Sequence, residues 1–142
     1  LVRAAQGVFV LPDQLDKTLF LICTGTGIAP YRSMLQYIQQ EQLPHLDIHL
    51  IYGCRKEEDL LFKEEMEAMA KQNEQFFYHP ITSRTTYNSK RGYVHAIYES
   101  LCSDLPVAHF MLCGWRPMVD EAKERIIKLG YNKTNVEFEL YG

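Results

Sequence analysis

The sequence predicts a three-layer α/β domain: a doubly wound, mostly parallel five-stranded sheet covered by helices on both faces. Three observations point there. Apolar, strand-like runs alternate with segments of helical periodicity along the chain, and crossovers between parallel strands need helices and are right-handed. The most apolar run, Leu19-Phe20-Leu21-Ile22-Cys23, drives into a turn holding Gly25 and Gly27, and a helix begins straight after it near Pro30. The 142 residues, 46% apolar and 23% charged, suffice for one folded domain with a three-layer core.

In order, residues 1–16 show little periodicity and read as a linker, the tail of a preceding domain; a chain opening on Leu1 is expected to be a fragment, with 17–142 as the domain proper. Strand one is expected over 18–23 and the first helix over 29–41, where Met34, Leu35 and Ile38 recur at helical spacing. Pro44 ends that helix, and 47–52 alternates as strand two. A second helix is expected over 59–71 with Leu60, Leu61, Met66, Met69 and Ala70 on its buried face. Strand three covers 75–80, a short helix 94–101, strand four 107–113 and a last helix 118–129. Gly130 caps that helix, and 136–141 alternates with period two as strand five.

The turn after strand one is suited to an anion. Gly25 and Gly27 have no Cβ, so the backbone can take positive φ and a bulky anion can approach the amides. The hydroxyls of Thr24 and Thr26 can donate, the first amides of the next helix lack partners, and Pro30 fits a first helical turn where its missing N–H costs nothing. Taken alone, a Gly-x-Gly between strand and helix is equally a tight turn: the third glycine of a dinucleotide fingerprint is replaced by Pro30, and no Gly-Lys-Ser/Thr follows. Context adds to it. Gly53-Cys54-Arg55, Thr82-Ser83-Arg84 and Cys113-Gly114 also close strands, and ligands of doubly wound sheets sit beyond the carboxyl ends of the strands.

Composition excludes several classes. A net charge of −3 with no basic stripe argues against nucleic acid. No run approaches the roughly 18 apolar residues of a membrane span, and no signal peptide opens the chain. Cys23, Cys54, Cys102 and Cys113 form no CxxC, which suggests reduced thiols in the cytoplasm and no zinc or iron–sulfur site; the histidines are too scattered to bind metal.

Several of these residues also resemble one family, the nucleotide-binding domain of the ferredoxin-NADP reductase superfamily. Gly25-Thr26-Gly27-Ile28-Ala29-Pro30 with Tyr31-Arg32-Ser33 looks like its pyrophosphate loop. Tyr52-Gly53-Cys54-Arg55 with Asp59-Leu60-Leu61-Phe62 is similar to its second strand-to-helix turn. Cys113-Gly114 followed by Met118 resembles its Cys-Gly-x-x-x-Met signature, and Glu139-Leu140-Tyr141 its acidic-x-aromatic ending. The resemblance implies strand order 3-2-1-4-5 and a hydride-transfer enzyme: this domain holds NADP or NAD, a missing domain before residue 17 holds FAD, and a ferredoxin, flavodoxin or iron–sulfur partner accepts electrons. It also implies that Thr26 and Gly27 hold the pyrophosphate, with Thr26 reaching the nicotinamide side. Cys113 and Gly114 pack beside the nicotinamide, Glu139 lies near the hydride path, and Tyr141 covers the flavin, although Gly142 follows it here.

Choice of nucleotide turns on the third strand. Asp47 opens strand two rather than closing it, whereas Ser83-Arg84 followed by Lys90, Arg91 and Tyr93 suits a 2′-phosphate, because a guanidinium donates two parallel hydrogen bonds to such oxygens. A solvated loop is the plain alternative for Arg84, Lys90 and Arg91. Likewise Cys113 is equally a buried strand residue, Glu139 an edge carboxylate, and Tyr31 and Trp115 packing residues or adenine-side contacts. Rival functions are the reductase component of an oxygenase and a non-catalytic nucleotide-binding regulatory module.

Overall fold

A computed structural model describes residues 9–88 and 90–140. Strands and helices alternate as β1 (Thr18–Thr24), α1 (Ile28–Gln40), β2 (Ile48–Cys54), α2 (Lys63–Gln72), β3 (Phe76–Thr82), α3 (Val94–Leu101), β4 (Ala108–Gly114), α4 (Arg116–Leu129) and β5 (Val136–Leu140). The strands form one parallel sheet in the order β3-β2-β1-β4-β5, the order the resemblance implies. Leu21 of β1 pairs with Leu50 on one side and Met111 on the other.

The central place of β1 explains its unbroken apolar run, because a parallel strand covered on both faces has no solvent side to mark with polar residues. Its side chains divide between two cores by the period of two. Leu19, Leu21 and Cys23 pack against α1 and α2 through Met34, Leu35 and Met66. Phe20 and Ile22 pack against α3 and α4 through Tyr98, Val119 and Ile126. Burying a side chain such as Ile22 fully contributes about 1.5–3 kcal/mol.

The second helix differs from expectation. It starts at Lys63 rather than near 59, because Glu57–Asp59 makes its own 3-10 turn, Leu60 is extended, and Phe62 adopts a left-handed φ of 58°. Leu60, Met66 and Met69 are buried, but Leu61 is exposed and leaves the apolar face expected for it. A hydrogen bond explains the detour: Leu61 N donates to Tyr52 Oη at 3.3 Å, which holds this loop over the end of β2. Elsewhere α4 begins two residues early, with Pro117 inside its first turn.

Residues 9–11 lie within the domain: Phe9 and Leu11 join the α1–α2 core, and the Phe9 ring lies 5.9 Å from that of Tyr31. Tyr31 itself packs, fully buried, and donates to Ile22 O at 3.1 Å. On the other face, at the amino half of the sheet, His49 stacks between Phe20 and Phe77 at 5.1 and 4.8 Å. His49 Nδ1 and His79 Nε2 are 2.9 Å apart. Burial, then the neighbouring His49 and Lys90, push the His79 pKa down to about 4. Among the described residues no helix is long and apolar enough to cross a membrane, and no group of three or more His, Cys, Asp or Glu residues could hold a metal ion.

Candidate functional site

The carboxyl ends of β1, β2, β3 and β4 meet on one rim, on either side of the point where the strand order reverses. There the glycine turn forms a short 3-10 segment, Gly25–Gly27, that runs directly into α1. The two glycines serve different ends. Gly25 takes a left-handed φ of 56°, as expected. Gly27 does not: its φ is −64°, and glycine is needed there because a Cβ would collide with the Cys113 carbonyl of β4. Thr24 Oγ1 accepts from Trp115 N at 3.3 Å, joining the ends of β1 and β4. Tyr52 Oη donates to Gly25 O at 2.6 Å, joining the turn to β2.

Beside this turn a cleft of about 850 Å³ opens between the first turns of α3 and α4. Of the expected site residues it is lined by Thr24, Gly53, Cys54, Arg55, Ser83, Arg84 and Met118. Pairing continues past the strand ends, with Ser83 N donating to Cys54 O at 3.0 Å and Arg84 N to Arg55 O at 2.9 Å. Two arginines therefore leave neighbouring strands side by side, a concentration of positive charge that favours an anion. Arg55 also lies over the Trp115 ring at 5.6 Å. Cys54 Sγ donates to Asp59 O at 3.4 Å, and burial raises its thiol pKa, so it serves as a neutral wall.

The remaining expected residues lie around the cleft. Thr26 is exposed on the turn with Gly25, Gly27 and Pro30. Gly114 packs against Thr24, whose hydroxyl occupies the space a Cβ would need. Arg91 is exposed and donates to Ser83 O at 3.1 Å, so it braces the loop after β3. Cys113 is fully buried beneath Gly27 on the α1–α2 side of the sheet, and Glu139 stands opposite it on β5. Tyr141 lies outside the described residues.

Two aromatic residues named from the sequence also line the cleft, together with a polar wall of His95, Glu121 and Arg125 that the sequence did not single out. Tyr93 and Trp115, 69% and 42% exposed, stand at the starts of α3 and α4. Behind them His95, only 7% exposed, lies with Nε2 3.7 Å from Glu121 Oε2. Arg125 holds Glu121 at 2.6 Å and Glu99 at 2.9 Å. The tautomer of His95 follows from its neighbour. Tyr98 is fully buried, and among the described residues its hydroxyl has one partner, His95 Nδ1, at 2.8 Å. Were Nδ1 to donate instead, the Tyr98 proton would lack an acceptor, at a cost of about 1–3 kcal/mol. Tyr98 therefore donates and Nε2 carries the ring hydrogen. Burial, opposed by Glu121 and aided by Arg125, lowers the His95 pKa and keeps the ring neutral near pH 7. Only the four-residue spacing of Glu121 and Arg125 on an amphipathic helix could have signalled this wall.

Comparison with known proteins gives consistent results. The model of the oxidoreductase NAD-binding domain family matches residues 21–124. The chain is 33% identical over 145 residues to Ferredoxin--NADP reductase B of Sorangium cellulosum (strain So ce56), covering 95% of this chain and 59% of that protein. It is 31% identical over 134 residues to the xylene/toluene monooxygenase electron transfer component XylA of Pseudomonas putida, covering 91% and 37%. The fold is shared with a ferredoxin NADP+ reductase from Neisseria gonorrhoeae with bound FAD and NADP, at a TM-score of 0.76 and 24% identity over 93% of this chain and 60% of that one. The chain thus spans less than two thirds of the length of each of these relatives.

Proposed function

The chain belongs to the oxidoreductase NAD-binding domain family, and on that footing we propose that it is the nucleotide-binding part of a flavin-dependent NAD(P)H reductase. One observation carries this reading: the ends of four parallel strands border a single cleft that runs from Thr24, beside the glycine turn, to two adjacent arginines. The residues present fit a dinucleotide. Its pyrophosphate suits the turn of Gly25, Thr26 and Gly27 ahead of α1, where the helix start favours negative charge. Thr24, Gly53, Cys54 and Arg55 form the wall beside it.

We assign NADP as the preferred nucleotide. Ser83 and Arg84 line the cleft at the end of β3, and a hydroxyl with a guanidinium suits a 2′-phosphate. Arg91 keeps this loop in place through its bond to Ser83 O. In this reading Cys113, Gly114 and Met118 shape the nicotinamide side, with Glu139 near the hydride path and Tyr141 over the flavin. The nicotinamide, when bound, supplies hydride to FAD held by a preceding domain that residues 1–16 would join; electrons then pass to a ferredoxin, flavodoxin or iron–sulfur acceptor. The similarity to an oxygenase electron transfer component supports a second setting, as the reductase of an oxygenase system. Four cysteines, free and buried, suit the reducing cytoplasm.

Titrating the chain and its Arg84→Ala variant with NADPH and NADH tests the assignment. NADPH affinity is expected to fall by about 1.5–3 kcal/mol, the worth of a hydrogen bond to a charged group, with NADH nearly unchanged. Equal losses for both nucleotides would remove the 2′-phosphate assignment, and no binding of either would remove the dinucleotide reading.

A further inference from the structure

In the cleft a buried hydrogen-bond donor and a half-exposed acceptor stand side by side. His95 Nε2 and Glu121 Oε2 are 3.7 Å apart, one on each wall. Their characters are fixed by what lies behind them. Tyr98 gives its proton to His95 Nδ1, which leaves the ring hydrogen on Nε2. Arg125, itself tied to Glu99, holds the Glu121 carboxylate in place, and a carboxylate oxygen accepts. The exposed rings of Tyr93 and Trp115 line the same cleft and offer faces on which a planar base can stack. Donor and acceptor together complement one edge of adenine, whose ring nitrogen N7 accepts while its N6 amino group donates.

We propose that His95 and Glu121 read the purine of the dinucleotide, with Nε2–H donating to N7 and the carboxylate accepting from the N6 amino group. This deepens the dinucleotide reading and rests on it: the adenosine end enters between α3 and α4, and the base is chosen by its edge as well as by stacking. A purine with a keto oxygen at the same position brings two acceptors face to face with no proton between them. Stacking alone has no such preference, because every base offers a π-face.

The test compares NADP+ with nicotinamide hypoxanthine dinucleotide phosphate, in which the amino group is replaced by a keto oxygen. In calorimetric titrations of the chain the analogue is expected to bind about tenfold to a hundredfold more weakly, the discrimination of a two-point base contact. The Glu121→Gln variant presents an amide that can donate to the keto oxygen, and is expected to bring the two affinities close together. Equal affinities in the native chain overturn the proposal and leave the dinucleotide site standing. An unchanged preference in Glu121→Gln, with its thermal unfolding like the native chain's, overturns it as well. Failure of both nucleotides to bind removes the proposal and the reading beneath it.

Discussion

The two sides of the site, the glycine turn beside the cleft and the α3–α4 wall of the cleft itself, are built by different means. The glycine turn is made of backbone: its shape comes from one left-handed residue, Gly25, and one place without room for a side chain, Gly27. The α3–α4 wall is made of side chains, and its polar groups are ordered by one another, from Tyr98 to His95 and from Glu99 through Arg125 to Glu121. A backbone wall can take an anion of almost any origin, since amides and a helix start distinguish charge more than structure. A side-chain wall can distinguish molecules that share the same phosphates. General grip and selectivity are thus separated in space, about the ends of β1 and of β3 and β4 respectively.

That contrast can be broken most severely at Gly27. A Gly27→Val side chain would run into the backbone of β4, which cannot swing aside as a flexible side chain could. Destabilisation of about 3 kcal/mol is expected, the upper end of what overpacking costs, together with loss of nucleotide binding. Urea unfolding measures the first; a midpoint equal to that of the native chain would mean the close approach is not required.

A smaller effect is expected across the cleft. Trp115→Ala removes a ring that is 42% exposed and belongs to neither core cluster, so stability should hold while NADPH binding weakens by about 1–2 kcal/mol. Binding of inorganic pyrophosphate, which has no base, should be unaffected. If both ligands lost affinity equally, the two walls would not act separately. Trp115 is the sole tryptophan of the chain, so its fluorescence reports directly on the native titration.

The smallest effect expected is with pH. His49, His79 and His95 all belong to the α3–α4 face, and burial holds each below its ordinary value, His79 at about 4. Around His95 the facing charges are Glu121, Arg125 and Glu99; around the other pair they are Asp47 and Lys90. With folded pKa values below the unfolded value near 6.5, the unfolded state takes up more protons, so stability is complete above about pH 6.5 and declines as pH falls toward 4. Hydrogen exchange at pH 7 and pH 5, corrected for intrinsic rates, should show α3 and β3 losing protection before α1. Uniform loss across the sheet would show that these histidines do not single out one face.

The difference between the walls also accounts for what was legible in the sequence. Strand and helix positions and the rim of glycines and arginines follow from periodicity and from residues adjacent in the chain, such as Ser83 with Arg84, whereas the strand order came from the family resemblance. His95, Glu121 and Arg125 were not legible, because helix-surface residues acquire a role only when two helices distant in sequence are brought together. Leu61 misled for a related reason: its apolar character fitted a helix face, but the hydroxyl of Tyr52 holds its backbone in a loop. Gly27 was read correctly as a required glycine and incorrectly as a left-handed one, since its obstacle, Cys113, lies on a strand 86 residues further on.

Tyr52 carries one more consequence. Fully buried, its hydroxyl donates to Gly25 O and accepts from Leu61 N, so a single side chain sets the glycine turn against a rigid strand. A loop rich in glycine would otherwise forfeit much conformational freedom on meeting a ligand. Here that ordering is completed during folding, and the cradle is preorganised before any phosphate arrives.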